Sequence, residues 1–148
     1  DYRRVEFTAV LEDWVAEFER EYPRATIERA FDSLELVTAV EHVRLALENV
    51  IENALEHAET ETPRVRITAR ETDREGYAAV IAVHDEGPGI PDSEVAVLTR
   101  GFEESVSHGS SIGLWIVEWS LQRIGGEVTF ERTETGSTVR IWLPVVSG

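Results

Sequence analysis

Leu45 to His57, LALENVIENALEH, is the stretch that most narrows what this chain can fold into. Leu45, Val50, Ala54 and Leu55, with Ala46, Leu47 and Ile51 beside them, recur at helical spacing, and predict a helix from about Glu41 to Ala58. Asn49 and Asn53 stand one turn apart in it, so their amides share a face. Asn is a poor mid-helix residue because its side chain competes for the backbone in other conformations. Two of them inside an apolar helix ask for a reason. One reason is ordinary: both amides are satisfied on a partly exposed surface. The other is chemical. A side-chain carbonyl is a hard oxygen ligand, and Mg²⁺ held with nucleotide phosphates takes only one or two protein ligands.

Two further stretches bear on the choice. Ala78 to Val83 reads as a buried strand running into His84-Asp85-Glu86-Gly87-Pro88-Gly89-Ile90. The glycines allow close backbone approach to a ligand and Pro88 stiffens the turn between them. An Asp at such a strand end can accept a hydrogen bond from an exocyclic amine while the loop packs on a flat ring. Downstream, His108-Gly109-Ser110-Ser111-Ile112-Gly113-Leu114 precedes an apolar helix from Trp115 to Ile124. Small residues before a helix N-terminus form an anion site from free amides and the helix dipole.

These three stretches, in this order, resemble the N, G1 and G2 boxes of the catalytic ATP-binding domain of sensor histidine kinases. That domain belongs to the GHKL superfamily shared with gyrase, Hsp90 and MutL. The resemblance covers nearly the whole chain. It implies a two-layer α/β sandwich, the Bergerat fold, with a mixed sheet of about five strands and three main helices on one face. It also implies a Mg-ATP site. Asn53 would ligate Mg²⁺ bridging the phosphates, and Asn49 would support metal or phosphate from the turn before; these two are the catalytic pair. Asp85 would read the adenine amino group, with Gly87, Gly89 and Ile90 shaping the loop against the base. Ser137 matches the hydroxyl that helps hold Asp85 and a water at adenine, with Thr138 as the neighbouring candidate. Gly109, Ser110, Ser111, Ile112, Gly113 and Leu114 would line the phosphate side, and His57 would sit near ribose or phosphate. His42, His84 and His108 read as structural or solvated.

The pattern departs from the family in two places. Where the N box often carries Lys or Arg before its last residue, this chain has Glu56; Arg100 is a conjectural substitute. The central Gly of the G2 box is Ser111, for which a positive φ would cost about 1–2 kcal/mol. Residue 49 separates the subclasses. Gyrase-like and Hsp90-like ATPases and the anti-sigma serine kinases have Glu there as general base, whereas an amide cannot take a proton. A neutral imidazole is already nucleophilic and needs less help than water, so Asn49 favours transfer to His. Glu48 or Glu52 could assist. Histidine kinases carry the accepting His in a helical dimerisation region, and no His here has that H-E-[LI]-[RK]-x-P context. The resemblance therefore implies three partners: ATP, the dimerisation and phosphotransfer region of the same kinase, and a response regulator downstream. The alternatives are a degenerate interaction module and an ATP-driven or serine-directed relative.

Elsewhere Val5 to Thr8 reads as a short edge strand, with Thr8 capping a helix from Ala9 to Glu21 whose stripe is Val10, Leu11, Trp14, Val15 and Phe18. Ala25 to Ala30 is the next strand and Leu36 to Ala39 a short extended piece. Arg64–Thr72 and Gly76–His84 form a hairpin around Asp73 to Gly76. Asp92 to Arg100 suggests a short helix and Gly101 to Ser110 a polar lid, whose Phe102 either stacks on the nucleotide or closes over the core. Gly125-Gly126 stops the last helix, and Glu127–Arg132 and Ser137–Leu143 form a final hairpin around Thr135-Gly136.

The 148 residues are one domain's worth of chain, and no apolar run approaches bilayer length. No signal peptide is visible, which makes a cytoplasmic setting the expectation, either as a cytoplasmic protein or as the cytoplasmic part of a membrane-bound sensor. With no Met, the chain is expected to be a segment of a longer protein or a processed one. Its formal charge is −15, from 29 acidic residues against 14 basic ones, every one an Arg. Nucleic-acid binding wants a basic face, so the balance argues against it. A lysine-free, carboxylate-covered surface resembles proteins of salt-accumulating halophiles, especially haloarchaea; Arg-biased codon usage in an acidic mesophilic domain is the alternative. Melting temperature should rise steeply between roughly 0.1 M and several molar KCl, as the Debye length falls toward about 3 Å. A flat melting temperature across that range would refute the halophile reading.

Overall fold

The computed structural model describes residues 2–56, 58, 60–86, 112–133 and 136–146, with backbone alone for 112–114, 132 and 133. In chain order the elements are β1 (Tyr2–Glu6), α1 (Phe7–Glu21), β2 (Thr26–Phe31), β3 (Glu35–Ala39) and α2 (Val40–Glu56). They continue with β4 (Arg64–Glu71), β5 (Tyr77–Glu86), α3 (Ile112–Gln122), β6 (Glu127–Thr133) and β7 (Gly136–Pro144). The expected segments 92–100 and 101–110, with Arg100 and Phe102, lie outside the described residues.

A five-stranded sheet runs β2-β4-β5-β7-β6. It is mixed: β2 lies parallel to β4, and the remaining pairs are antiparallel. Side chains alternate between its faces. Val65, Ile67 and Ala69 of β4, Ala79, Ile81 and Val83 of β5, and Val139, Ile141 and Leu143 of β7 are buried on one face. They join Leu11, Trp14, Val15 and Phe18 of α1, Leu47, Val50 and Ile51 of α2, and Val117 and Leu121 of α3 in one core. The helices therefore cover that face, as the expected sandwich requires. The buried stripe of α2 is Val43, Ala46, Leu47, Val50, Ile51 and Ala54. It is rotated away from Leu45, which the sequence had grouped with it and which is 39% exposed.

The N-terminal strand does not edge this sheet. β1 and β3 make their own antiparallel ribbon, from Tyr2↔Ala39 to Glu6↔Glu35. That pairing carries the chain into α1 two residues earlier than the pattern suggested, and Thr8 does not cap it. Glu6 is the N-cap residue and gives no side-chain capping bond. The Phe7 amide finds the Leu34 carbonyl at 2.8 Å. Thr8 lies within the first turn, where its hydroxyl donates to the Asp32 carbonyl at 2.7 Å and accepts from the Leu34 amide at 2.8 Å. The hydroxyl thus ties α1 to the β2–β3 connection.

The other boundaries follow local chemistry. Gly76, at φ +88, closes the β4–β5 hairpin. After α3, Gly125 takes φ +77. The Gly126 amide then reaches the Leu121 carbonyl at 2.7 Å, and the Gly125 amide reaches Gln122 at 3.2 Å. This is the Schellman pair that satisfies a helix's last carbonyls. Thr8→Val should cost about 1–3 kcal/mol in denaturant unfolding, because it leaves a carbonyl and an amide unpaired. Thr8→Ser should recover most of the loss; a silent Val variant would show the bridge to be idle.

Candidate functional site

The core-facing rows of β5 and β7 end in polar residues. Along β5 the row is Ala79, Ile81, Val83 and then Asp85; along β7 it is Leu143, Ile141, Val139 and then Ser137. Asp85 and Ser137 are cross-strand partners. Asp85 is 8% exposed and Ser137 fully buried. Burial pushes the Asp85 carboxyl above its ordinary range, while the His84 imidazole and a hydrogen bond from the Ser137 backbone amide pull it partly back. An ionised acid held in an apolar layer needs hydrogen-bond donors to be tolerated, and β7 supplies one.

Gly136 makes this approach possible. A Cβ there would overlap the Asp85 carbonyl oxygen and stand 2.9 Å from its carbonyl carbon. The sequence placed Gly136 in a turn, but it opens β7 opposite Glu86. Its Gly-Ser spelling was visible; what it meets depends on which strand pairs with β7. Thr138, the alternative to Ser137, points to the opposite face, where its hydroxyl is 2.8 Å from His84 Nδ1.

On α2, Asn53 is 7% exposed, and among the described residues its Nδ2 has no hydrogen-bond partner. A buried, unpartnered amide is costly and rare; an oxygen-rich ligand would satisfy it. Asn49 donates its Nδ2 back to the Leu45 carbonyl at 2.7 Å, an i−4 bond that leaves Oδ1 as the outward acceptor. The two amides thus offer carbonyl oxygens and one N–H, a donor set that fits a hard cation with phosphate.

The acids of α2 occupy another flank. Glu48 pairs with Arg44 at 3.8 Å, and Arg44 pairs with Glu17 of α1. Burial first, then Glu56, Glu48 and Glu21, raises the Glu52 carboxyl. The same acids, after burial, push Tyr22 at the end of α1 up to about 12. Glu48 and Glu52 therefore keep company with α1. A cleft of about 440 Å³ on that side includes Glu56 and Tyr22 but none of Asn49, Asn53, Asp85 or Ser137.

Ile112, Gly113 and Leu114 form the first turn of α3, which begins three residues before the expected start. Their amides thereby belong to the set that has no acceptor within the helix. His57, Gly87, Gly89, Ile90, Gly109, Ser110 and Ser111 lie outside the described residues.

The helix-covered, mixed five-stranded sheet is the architecture of a GHKL-type domain. The sequence matches the family of histidine kinase-, DNA gyrase B- and HSP90-like ATPases over residues 38–147, and the chain belongs to that family. Its curated relatives include the sensor histidine kinase CssS of Bacillus subtilis, 33% identical over 98 residues, which are 66% of this chain and 20% of CssS. The sensor-type histidine kinase PrrB of Mycobacterium leprae is 29% identical over 140 residues, 92% of this chain and 30% of PrrB. The chain thus spans less than a third of either relative. The crystal structure of the ATP-binding domain of PrrB from Mycobacterium tuberculosis superposes with a TM-score of 0.77 at 26% identity, covering 99% of both chains. Within its family the chain is homologous to the catalytic domains of sensor histidine kinases.

The buried acid has a measurable signature. Because the folded-state value of Asp85 is raised, the native carboxyl holds its proton to higher pH than the unfolded one. Its contribution to stability is full below the ordinary value of 3.8 and is lost as pH rises through the folded value. Asp85→Asn should therefore melt above the wild type at pH 7, with the gap narrowing on acidification. A variant that melts below the wild type at pH 7 would show the ionised carboxylate to be stabilising.

Proposed function

We propose that this chain binds Mg-ATP and donates the γ-phosphoryl group to a histidine on a separate helical dimerisation region, as the catalytic domain of a sensor histidine kinase. The observation that carries this is the buried Asp85, donated to by Ser137 and set in the helix–sheet layer that also holds the unpartnered Asn53 amide. Asp85 reads the adenine amino group by accepting its hydrogen bond, and Ser137 steadies the carboxylate. Asn53, supported by Asn49, would hold Mg²⁺ with the phosphates, where the cation would neutralise charge on the transferring group. The loops around Gly87, Gly89, Ile90 and Gly109 to Ser111, with His57, complete the site by family likeness, and Ile112 to Leu114 present first-turn amides to phosphate.

With Asn at position 49 and with Glu48 and Glu52 turned toward α1, the acid that would activate water or a hydroxyl is missing from its usual place. An imidazole acceptor needs none, and the chain's task is positioning and charge neutralisation. The acceptor would then pass the phosphoryl group to a response regulator. The charge of −15 without a lysine supports a salt-accumulating, haloarchaeal-type source and a cytoplasmic setting. Among the described residues no helix is long and apolar enough to cross a membrane. All 148 residues are read as one domain. An interaction module without catalysis is the second reading, favoured by exposed Glu56 standing where a phosphate-facing cation is usual.

The chain alone should neither label itself nor hydrolyse ATP at an appreciable rate. Given the kinase's own dimerisation hairpin in trans, in high salt, it should label that hairpin's histidine with an acid-labile, alkali-stable phosphate. Asn53→Ala should weaken Mg-dependent ATP binding by roughly ten- to a hundredfold and abolish transfer, while Asp85→Asn should mainly weaken ATP relative to GTP. Unchanged ATP binding in both variants would sink the site assignment. Label on Ser or Thr would point to the anti-sigma class, and rapid hydrolysis to the ATPases. ATP binding without any transfer to a folded hairpin would leave the interaction module.

A further inference from the structure

One side chain at this end of the sheet remains without a role. His84 precedes Asp85 on β5, so its imidazole stands on the open face while the carboxylate stands on the helix-covered one. Across the β5–β7 ladder the two residues pair in step, His84 with Thr138 and Asp85 with Ser137. The pairs differ in kind. Ser137 meets Asp85 through a backbone amide, and His84 meets Thr138 side chain to side chain, Nδ1 to Oγ1, at 2.8 Å. At the next rung, Gly136 lets β7 run against the Asp85 carbonyl with no side chain between them.

Among the described residues, the helix-side rows that continue from Asp85 and Ser137 are apolar: Val83 and Ile81, Val139 and Ile141. We propose that His84 is a positioning residue for the Asp85 carboxylate: from the open face it clamps Thr138, and so holds Ser137 and the β7 backbone in register with the adenine reader. The inference rests on the nucleotide reading above and names a residue through which the site is kept in shape. The charged neighbours on the open face are Arg66, paired with His84 on β4, and Arg64 beside it; Arg140 of β7; Glu131 of β6, opposite Thr138; and Glu86 of β5 itself. Arg140 and Glu131 engage each other at 3.4 Å, and Arg64 engages Glu28 at 3.1 Å. Among the described residues, Thr138 is the hydrogen-bond partner that the imidazole has.

Titration calorimetry on the 148-residue chain, with Mg-ATP and Mg-GTP at pH 7.5, tests this. His84→Ala and Thr138→Val should each weaken ATP by about fivefold, the worth of one hydrogen bond, and leave GTP nearly unchanged. The double variant should be no weaker than either single one, since both remove the same interaction. His84→Gln keeps an amide for Thr138 and should restore ATP affinity at pH 7.5. Additive losses, equal losses for ATP and GTP, or an Ala variant with the wild-type ATP-to-GTP ratio would each overturn the clamp. If His84→Ala fails to fold by thermal melting, Thr138→Val and His84→Gln carry the same comparison. A wild-type chain that binds neither nucleotide, or an Asp85→Asn variant that keeps the wild-type ratio, would sink the nucleotide reading and the clamp with it. A sensitive Asp85 beside silent His84 and Thr138 would sink the clamp alone.

Discussion

The rest of this structure depends on how closely β5 and β7 approach at Asp85. Sheets place side chains of one parity on one face, and here that face is sealed by three helices. A carboxylate at the last core-facing position of β5 is therefore carried into an apolar layer whether or not it has partners. Isolated, it would be driven to its neutral form. The Ser137 amide and the nearby imidazole oppose that, and the amide depends on β7 lying flush against β5. Gly136 is the condition for this, because even a methyl group would collide with backbone rather than with a movable side chain.

The helix that covers this face is divided by its own geometry. One side of α2, Val43 to Ala54, is consumed by the core. At its margin stand Asn49 and Asn53, one tied back to its own helix and the other buried with its Nδ2 unpartnered among the described residues. The opposite margin carries Glu48 and Glu52, whose company is Arg44, Glu17, Glu21 and Tyr22 of the α1 side. Burial first, and then the crowded acids, raises both Glu52 and Tyr22, so part of the chain's excess negative charge is concentrated where α1 and α2 end together. On the proposed reading, neutral amides face the phosphates and repelling carboxylates stand away from them.

Much of this was legible in the sequence. The Asn pair, the Asp at a strand end and the small residues before α3 each had a chemical reason to be noticed, and their order identified the family. Periodicity also outlined the helices and the strands, and the resemblance supplied their assembly into one five-stranded layer. What it missed shares one cause. Thr8 was read as a cap because Thr before a helical stripe is a good local signal, yet the β1–β3 ribbon moved the helix start and gave the hydroxyl a distant task. Leu45 was read into the apolar stripe because a helix pattern does not say which way the stripe centres. Gly136 was read as a turn and His84 as ordinary, because their meaning lies in a cross-strand register that no local pattern contains.

A carboxyl raised by burial in a candidate active site usually suggests proton transfer. The function proposed above makes Asp85 a recognition group instead. A general base must reach the nucleophile, whereas Asp85 is fixed on the sheet by a backbone amide and Asn49 stands where related ATPases place their acid. The same desolvation that raises the carboxyl strengthens a hydrogen bond to an exocyclic amine, since few water molecules compete for it. It also sharpens rejection of a base that presents a carbonyl at that position, because two acceptors would then face each other out of water. On the proposed reading, the stability cost of a buried charge and the discrimination between purines are one property of a single residue, and its strand neighbours hold the balance between them.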